Sequence, residues 1–269
     1  MSIPEFFAEV PVAGPTAPDR IRPYGLFGLI LSTAGILVLG ALIMAVLAVV
    51  WIAVAGLAEV ESAMGSLSGI DINELRVAPY RTQIVMYGVT AASFIGFGLA
   101  VLAFARLRGG ANWRIPLAWE APSGWPTGKW LVLLPVFALV YLLTAGFGIK
   151  LIFPDFRTWF FIPPGGWGMA LSFVTVVLLA PWAEELLFRG WIYSSLRQSF
   201  GVWAGLIVVA LLFALAHLDK TGLYPVLIFI PGLVLTLIRE KNGSSKASFY
   251  AHAAYNCLAW LIVFFVGNP

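Results

Sequence analysis

Three short clusters of polar residues interrupt the apolar last third of this chain. They are, in chain order, Glu184, Glu185 and Arg189, then Phe213 and His217, then His252 and Asn256. A charged side chain at the centre of a membrane helix costs about 2.5 to 3.5 kcal/mol on insertion scales, so a purely structural span avoids such residues. Carboxylate and imidazole groups at these positions therefore indicate chemistry inside the membrane, with activation of a water molecule as the first candidate.

The spacing of the first cluster separates two roles, because residues four apart share one face of a helix. Glu185 precedes Arg189 by four residues, so these two residues predict an ion pair that offsets the burial of both charges. Glu184 shares its face with Phe188 instead, which leaves its carboxylate without a local cation, as suits a general base. Pro181 frees a backbone carbonyl one turn earlier, and the resulting kink predicts space for water beside Glu184.

The other two clusters hold the chain's two histidines. Phe213 and His217 are four residues apart, as are His252 and Asn256, so each pair is predicted to share a helix face. Imidazole and carboxamide groups can donate hydrogen bonds, which suits His252 and Asn256 to stabilising an oxyanion. At 1.5 Å per residue, Glu184 and His217 lie roughly 23 and 26 Å from the turn between them. His252 lies roughly 14 Å from its own turn, an offset of about 10 Å that is tolerable if the long fourth helix projects beyond the bilayer. On that condition we expect the three clusters to meet in one cavity.

The composition places these clusters in a membrane protein. Of 269 residues, 61% are hydrophobic and 11% charged, and the mean hydropathy is +0.93, whereas soluble domains have about 25% charged residues. We predict an all-α fold, a polytopic bundle of about seven transmembrane helices around an intramembrane polar cavity. The predicted spans are 25–56, 83–105, 130–153, 167–198, 201–218, 224–239 and 247–267.

Two of these spans are irregular. The span 167–198 is too long for a simple crossing, which needs about 20 residues. The span 224–239 contains Pro231 and Gly232, so we expect a kinked or partly broken helix whose freed carbonyls are satisfied by neighbouring side chains rather than by lipid.

The predicted organisation is one membrane domain, 25–267, after a flexible tail over residues 1–24 that is rich in proline and lacks a signal-peptide pattern. Residues 25–164 form membrane helices without a motif, and residues 165–266 carry all three clusters. Lysines and arginines number eleven on the N-terminal side of the membrane and five on the other, which predicts a cytoplasmic N-terminus. No basic stripe with interleaved aromatics indicates a nucleic-acid partner, and the single cysteine excludes an internal disulfide.

The three clusters resemble the signature of the CPBP group of intramembrane proteases, which comprises the type II CAAX prenyl endopeptidases and bacterial relatives linked to bacteriocin processing and self-immunity. That signature is Glu-Glu-x-x-x-Arg, Phe-x-x-x-His and His-x-x-x-Asn, in this order. The setting of the first motif, Ala-Pro-Trp-Ala-Glu-Glu-Leu-Leu-Phe-Arg-Gly over residues 180–190, is also typical of the family. The resemblance covers residues 165–266.

The resemblance implies a peptidase whose active site lies within a bundle of membrane helices. In the family the first glutamate and the first histidine activate water, while the second histidine and the asparagine stabilise the tetrahedral oxyanion. Matched to this sequence, the catalytic residues are Glu184, His217, His252 and Asn256, and the supporting residues are Glu185, Arg189 and Phe213.

The resemblance leaves two alternatives for a cofactor, because the family has been described both as metalloproteases and as glutamate-dependent proteases. Zinc, if present, would take Glu184, His217 and His252 as ligands, although the sequence has no His-Glu-x-x-His pair. We favour a reaction without a cofactor. Asn256 is an unusual zinc ligand, and four converging groups suit a base with an oxyanion hole.

Our leading hypothesis is an intramembrane endopeptidase that hydrolyses a peptide bond of a membrane-associated protein or peptide in a bacterial cytoplasmic membrane. Its predicted partners are this polypeptide substrate and the lipid bilayer, and the sequence makes no prediction of oligomeric state. The alternative is a non-enzymatic bacteriocin-immunity or partner-binding membrane protein of the same fold. A third hypothesis is a proton-coupled transporter, since buried Glu and His also relay protons, but the chain lacks the internal repeats of many transporters.

Overall fold

The computed structural model describes residues 25–55, 80–122, 128–153, 161–218 and 222–266. Within these ranges the chain forms seven helices, a short 3₁₀ turn at Gly110–Asn112 and no strand, which confirms the all-α prediction. The helices are α1 (Leu26–Ala55), α2 (Tyr80–Gly109), α3 (Gly128–Ile152), α4 (Gly166–Phe200), α5 (Val202–Leu215), α6 (Tyr224–Asn242) and α7 (Ser245–Val266). The predicted tail over residues 1–24 lies outside the described residues.

Four of the seven helices, α1, α2, α4 and α7, are long and apolar enough to cross a membrane. The helix α5 and the stretch Val136–Ala145 of α3 are shorter apolar segments. Many large apolar side chains on these helices are exposed in the isolated chain, as expected where a helix faces lipid rather than water.

Helix α4 is irregular, as its length predicts. Its 35 residues include two segments with π-helical bonding, Val174–Leu179 and Glu185–Ile192. In the first segment the Ala180 N–H donates to the carbonyl of Thr175, five residues back. The next bond of this pattern would join residue 181 to the Val176 carbonyl, but Pro181 has no N–H to donate. The proline therefore leaves the Val176 carbonyl free for a donor from outside α4.

Helix α5 is shorter than the predicted span 201–218, and this boundary prediction was wrong. The helix ends at Leu215, so His217 lies in the turn just beyond it rather than on a helical face. The His217 N–H donates to the carbonyl of Ala214, three residues back, at 3.0 Å. The tightened last turn leaves the Phe213 carbonyl without its usual backbone donor.

Helix α6 runs without a break through Pro231. The proline removes the N–H that would bond to the carbonyl of Leu227, four residues earlier. The hydroxyl of Tyr141, on α3, donates to this carbonyl at 2.5 Å. The structure thus shows the predicted hydrogen bond from a neighbouring side chain to the carbonyl that the proline frees.

Glycine turns join α4 to α5 and α6 to α7. Gly201 and Gly243 have φ angles of 84° and 61°, a region that glycine enters without steric cost. After the second turn, the Ser245 N–H donates to the Ala118 carbonyl at 2.9 Å, and the Ser245 hydroxyl donates to the Leu117 carbonyl at 2.8 Å. These bonds fix the start of α7 against the segment that follows α2.

The N-terminal helices pack closely and support α4. A Cβ atom on Gly96 of α2 would lie 2.7 Å from the carbonyl oxygen of Gly40 on α1, so the two backbones are in contact. Two residues further along α2, a Cβ atom on Gly98 would lie 2.1 Å from the Trp182 ring. Because Trp182 precedes Glu184 by two residues, this fit holds α4 against α2 close to the first polar cluster.

Candidate active site

Glu184 lies between the two histidines of the chain. Its Oε1 atom is 4.0 Å from His217 Nε2, and its Oε2 atom is 3.8 Å from His252 Nε2. These separations exceed hydrogen-bond length, and within the described ranges no hydrogen bond reaches the Glu184 carboxylate. The side chains of Glu184 and His217 remain 16% and 18% exposed, so a water molecule can reach both.

His217 is held by a backbone carbonyl of its own turn. Its Nδ1 atom is 2.8 Å from the Phe213 carbonyl, which the early end of α5 leaves free. A carbonyl only accepts hydrogen bonds, so Nδ1 carries the proton and donates it. In the neutral ring the Nε2 atom that faces Glu184 is therefore an acceptor.

Glu185 forms the predicted ion pair and also holds the second histidine. Arg189 donates from Nη1 to Glu185 Oε1 at 2.8 Å, and both side chains are 0% exposed, which confirms the pair. The same guanidinium donates to the Gly232 carbonyl at 3.0 Å. The Nδ1 atom of His252 lies 2.8 Å from Glu185 Oε1, so it donates to the carboxylate and the His252 Nε2 atom faces Glu184.

Phe213 has more contacts than the packing against His217 that its spacing predicts. Its ring centroid is 4.7 Å from that of His217 and 5.8 Å from that of His252. The Arg189 guanidinium lies over the same ring at 4.2 Å, within cation–π range. One aromatic ring therefore contacts both imidazoles and the buried arginine.

Asn256 makes a contact that its predicted role does not require. Its side-chain Nδ2 donates at 2.8 Å to the Val176 carbonyl, the group that Pro181 leaves free. Among the described residues it makes no hydrogen bond to Glu184 or to either histidine. A carboxamide has two N–H groups, so one remains for a substrate. The structure thus brings together three of the four predicted catalytic residues and places the fourth one turn after His252.

Two hydroxyl residues of the site were not predicted. Ser248 donates its hydroxyl to Glu185 Oε2 at 2.6 Å. Thr236 lies 3.4 Å from Arg189 Nε and donates to the Gly232 carbonyl at 2.8 Å. Ser248 precedes His252 by four residues, the same spacing that marks the other pairs, so the helical face of the third cluster contains a signal for it.

The donor types of the site suit a zinc ion, since zinc binds imidazole nitrogen and carboxylate oxygen. The candidate ligands are Glu184, His217 and His252, and the Nδ1 atoms of both rings already have partners, as is usual for metal-bound histidines. Their spacing is looser than a metal centre, because no group of three or more His, Cys, Asp and Glu in the described ranges lies close enough to hold a metal ion.

Comparison with known families identifies the segment that contains this site. Residues 166–258 match the family model described as "Type II CAAX prenyl endopeptidase Rce1-like". The match begins at the first residue of α4, ends in α7, and confirms the resemblance that the three motifs predict. Together with the four helices that are able to span a membrane, it indicates an integral membrane protein related to peptidases.

Among curated proteins, an uncharacterized 24.3 kDa protein of Escherichia coli is 31% identical over 137 residues. The aligned region covers 49% of this chain and 62% of that relative, which is less than two thirds of its length. No solved structure matches the chain.

Proposed function

We propose that this chain is an intramembrane endopeptidase that hydrolyses a peptide bond of a membrane-associated protein or peptide. The main support is the Glu184 carboxylate, which faces two imidazole Nε2 atoms at 3.8 and 4.0 Å. It has no hydrogen bond of its own among the described residues, so its oxygens are available to accept a proton. A structural carboxylate in this setting would instead be bonded to a donor.

The reaction begins with one water molecule between Glu184 and His217. The separation of 4.0 Å between Glu184 Oε1 and His217 Nε2 lets a single water contact both atoms at about 2.8 Å. Both atoms are acceptors, so together they hold the two hydrogens of the water. Its lone pair then points to the substrate carbonyl carbon, and Glu184 takes a proton as the water oxygen bonds to that carbon.

His252 and Asn256 stabilise the oxyanion that forms on the substrate carbonyl. His252 donates from Nε2 as an imidazolium, whose other proton lies on the 2.8 Å bond from Nδ1 to Glu185. Asn256 donates the N–H that is not bonded to Val176. Glu184 then gives its proton to the leaving nitrogen as the C–N bond breaks, which releases a new carboxyl terminus and a new amine.

The buried charges balance in this mechanism. Glu184 and Glu185 are negative, whereas Arg189 and the His252 imidazolium are positive. Neutrality matters because an uncompensated charge in low dielectric costs several kcal/mol. Phe213 completes the arrangement by contacting both imidazoles and the guanidinium.

The description of the matched family suggests the first substrate to try, a prenylated peptide that ends in Cys-a-a-X. A lipid anchor holds such a peptide at the membrane surface and supplies part of the binding energy. We propose a bacterial cytoplasmic membrane with the N-terminus inside, so the natural substrate is a membrane-associated polypeptide of that compartment.

Glu184→Gln and His217→Ala test the proposal. Purified protein in lipid nanodiscs is incubated with a quenched farnesylated Cys-a-a-X peptide, and host membranes are analysed in parallel by mass spectrometry for new protein termini. We expect both variants to lose cleavage by at least about a hundredfold, the lower range for loss of general base catalysis, with unchanged thermal unfolding. Full activity in both variants, or the absence of Glu184-dependent termini, would contradict the proposal and support a partner-binding protein.

A chelator separates the two cofactor alternatives. On the favoured mechanism, cleavage by the wild-type protein is unchanged by prior treatment with 1,10-phenanthroline. Loss of cleavage that added zinc restores would instead show metal dependence and favour Glu184, His217 and His252 as the candidate ligands.

A further inference from the structure

The Glu185 carboxylate is fully bonded, and one of its donors has no assigned role. Oε1 accepts from Arg189 and from His252, each at 2.8 Å, whereas Oε2 accepts from the Ser248 hydroxyl at 2.6 Å. Ser248 and Glu185 are both 0% exposed. The serine is thus the single donor to Oε2 among the described residues.

We infer that Ser248 is a positioning residue of the proposed peptidase, because its bond to Glu185 Oε2 fixes the carboxylate that orients His252. This inference depends on the proposed function. A carboxylate bonded at one oxygen can rotate about its last side-chain torsion, whereas bonds at both oxygens prevent that rotation. Glu185 so fixed presents Oε1 to His252 Nδ1, and the ring then turns Nε2 towards Glu184, 3.8 Å away.

The geometry favours this role over simple helix stabilisation. The Ser248 hydroxyl has one proton and two acceptors within reach, Glu185 Oε2 at 2.6 Å and the Ser245 carbonyl of its own helix at 3.2 Å. The shorter bond, to a charged acceptor, is the stronger one. The proton therefore goes to the carboxylate of α4 rather than to the backbone of α7.

The arrangement requires a proton on the Nδ1 atom of His252. Because Glu185 only accepts, His252 Nδ1 must be protonated in the intact site. Without the Ser248 hydroxyl, the Glu185 carboxylate is free to rotate. The His252 ring then loses its fixed orientation, and the proton on its Nδ1 atom loses its fixed acceptor. Nuclear magnetic resonance of ring nitrogens detects this change directly, independent of any substrate.

The chain has only two histidines, which makes the measurement simple. Full-length protein labelled with ¹⁵N-histidine in nanodiscs gives two sets of ring signals, and the His217→Ala variant identifies those of His252. We expect a protonated Nδ1 in the wild type and a shifted or broadened His252 signal in Ser248→Ala. The Ser248→Thr variant keeps the hydroxyl and should restore the wild-type signal.

Ser245→Ala is the matched control. Ser245 is also 0% exposed on α7, three residues earlier, but its hydroxyl donates to the Leu117 carbonyl rather than to Glu185. We expect this variant to leave the His252 signals unchanged. For cleavage we expect kcat to fall about tenfold in Ser248→Ala, as is usual when a partner behind a functional imidazole is removed, with KM unchanged and activity restored in Ser248→Thr.

The outcomes separate this inference from the proposed function. Unchanged His252 signals in Ser248→Ala, or an unprotonated Nδ1 in the wild type, would overturn the role of Ser248 even if cleavage depends on Glu184. Cleavage that is independent of Glu184, with the expected shift of His252, would instead overturn the proposed function and leave the hydrogen-bond chain in place.

Discussion

Helix α4 contributes to two buried clusters of charged residues that differ in how their carboxylates are used. One contains Glu184 and Glu185 in the candidate active site, and the other surrounds Glu240 of α6. Arg197 donates to both oxygens of Glu240 at 2.7 to 2.9 Å, and the Tyr193 hydroxyl donates to Oε2 at 2.9 Å. Arg239 adds a second cation, with Nη1 3.7 Å from Oε2. The Glu240 carboxylate is therefore saturated with donors.

Glu184, in the first cluster, has no such donors among the described residues. The two imidazole Nε2 atoms lie 3.8 and 4.0 Å from its oxygens, beyond hydrogen-bond length. A saturated carboxylate joins helices and resists protonation, since a proton would break existing bonds, whereas an unsaturated one is ready to act as a base. The comparison teaches that hydrogen bonding, rather than charge alone, separates the structural carboxylate of Glu240 from the carboxylate of Glu184, which we propose to be the reactive one.

Among the variants that test this comparison, we expect the largest loss of stability and activity from Glu185→Gln or Arg189→Gln. Each removes half of a pair that is 0% exposed, which costs about 3 to 5 kcal/mol of the free energy of unfolding. The change also releases His252, so we expect both folding yield and kcat to fall. Yield by size-exclusion chromatography and kcat of the folded fraction measure the two effects, and normal yield with normal thermal stability would refute the structural role.

Glu240→Gln should lower stability without lowering activity. The substitution leaves Arg197 and Arg239 without their carboxylate, and a loss of about 3 kcal/mol is expected, at the lower end for buried pairs because the Arg197 side chain is 21% exposed. Thermal unfolding in detergent and kcat per folded molecule provide the readouts. If a folded Glu240→Gln protein lost cleavage, the second cluster would belong to the reactive part of the molecule and the comparison would fail.

The smallest effect is expected from Tyr141→Phe, which removes the donor to the Leu227 carbonyl beside Pro231. Loss of one buried hydrogen bond costs about 1 to 2 kcal/mol, with no change in kcat. Asn256→Ala is the counterpart, because it uncovers the Val176 carbonyl in the same way but should also lower kcat. Equal kcat values in both variants would contradict a role of Asn256 in the reaction and leave it only a structural role.

Much of the fold was predictable from the sequence because apolar length and glycine turns are local signals. In the part of the chain that the structure describes, seven helices occur where seven spans were expected, and Gly201 and Gly243 mark the turns. The pair of Glu185 with Arg189 was also predictable, since it depends only on a spacing of four residues. The catalytic roles of the four site residues remain predictions.

The rest depends on contacts between helices, which spacing does not encode. A freed carbonyl was expected near Pro181, but its identity as the Val176 carbonyl follows from the π-helical bonding, and its bond to Asn256 depends on how α7 lies against α4. The end of α5 before His217 was missed because the apolar pattern continues past Leu215. Ser248 was missed because a serine within an apolar helix has many structural uses, and only its distance to Glu185 gives it a role.

The position of α7 in the chain has a consequence for biosynthesis. This helix carries Ser248 and His252 and follows the other six described helices. During translation, a chain that has inserted only α1 to α6 contains the pair of Glu185 with Arg189 but no second imidazole. The proposed hydrolytic centre is thus absent from that intermediate, and neighbouring membrane polypeptides are not exposed to it until α7 has packed against α4.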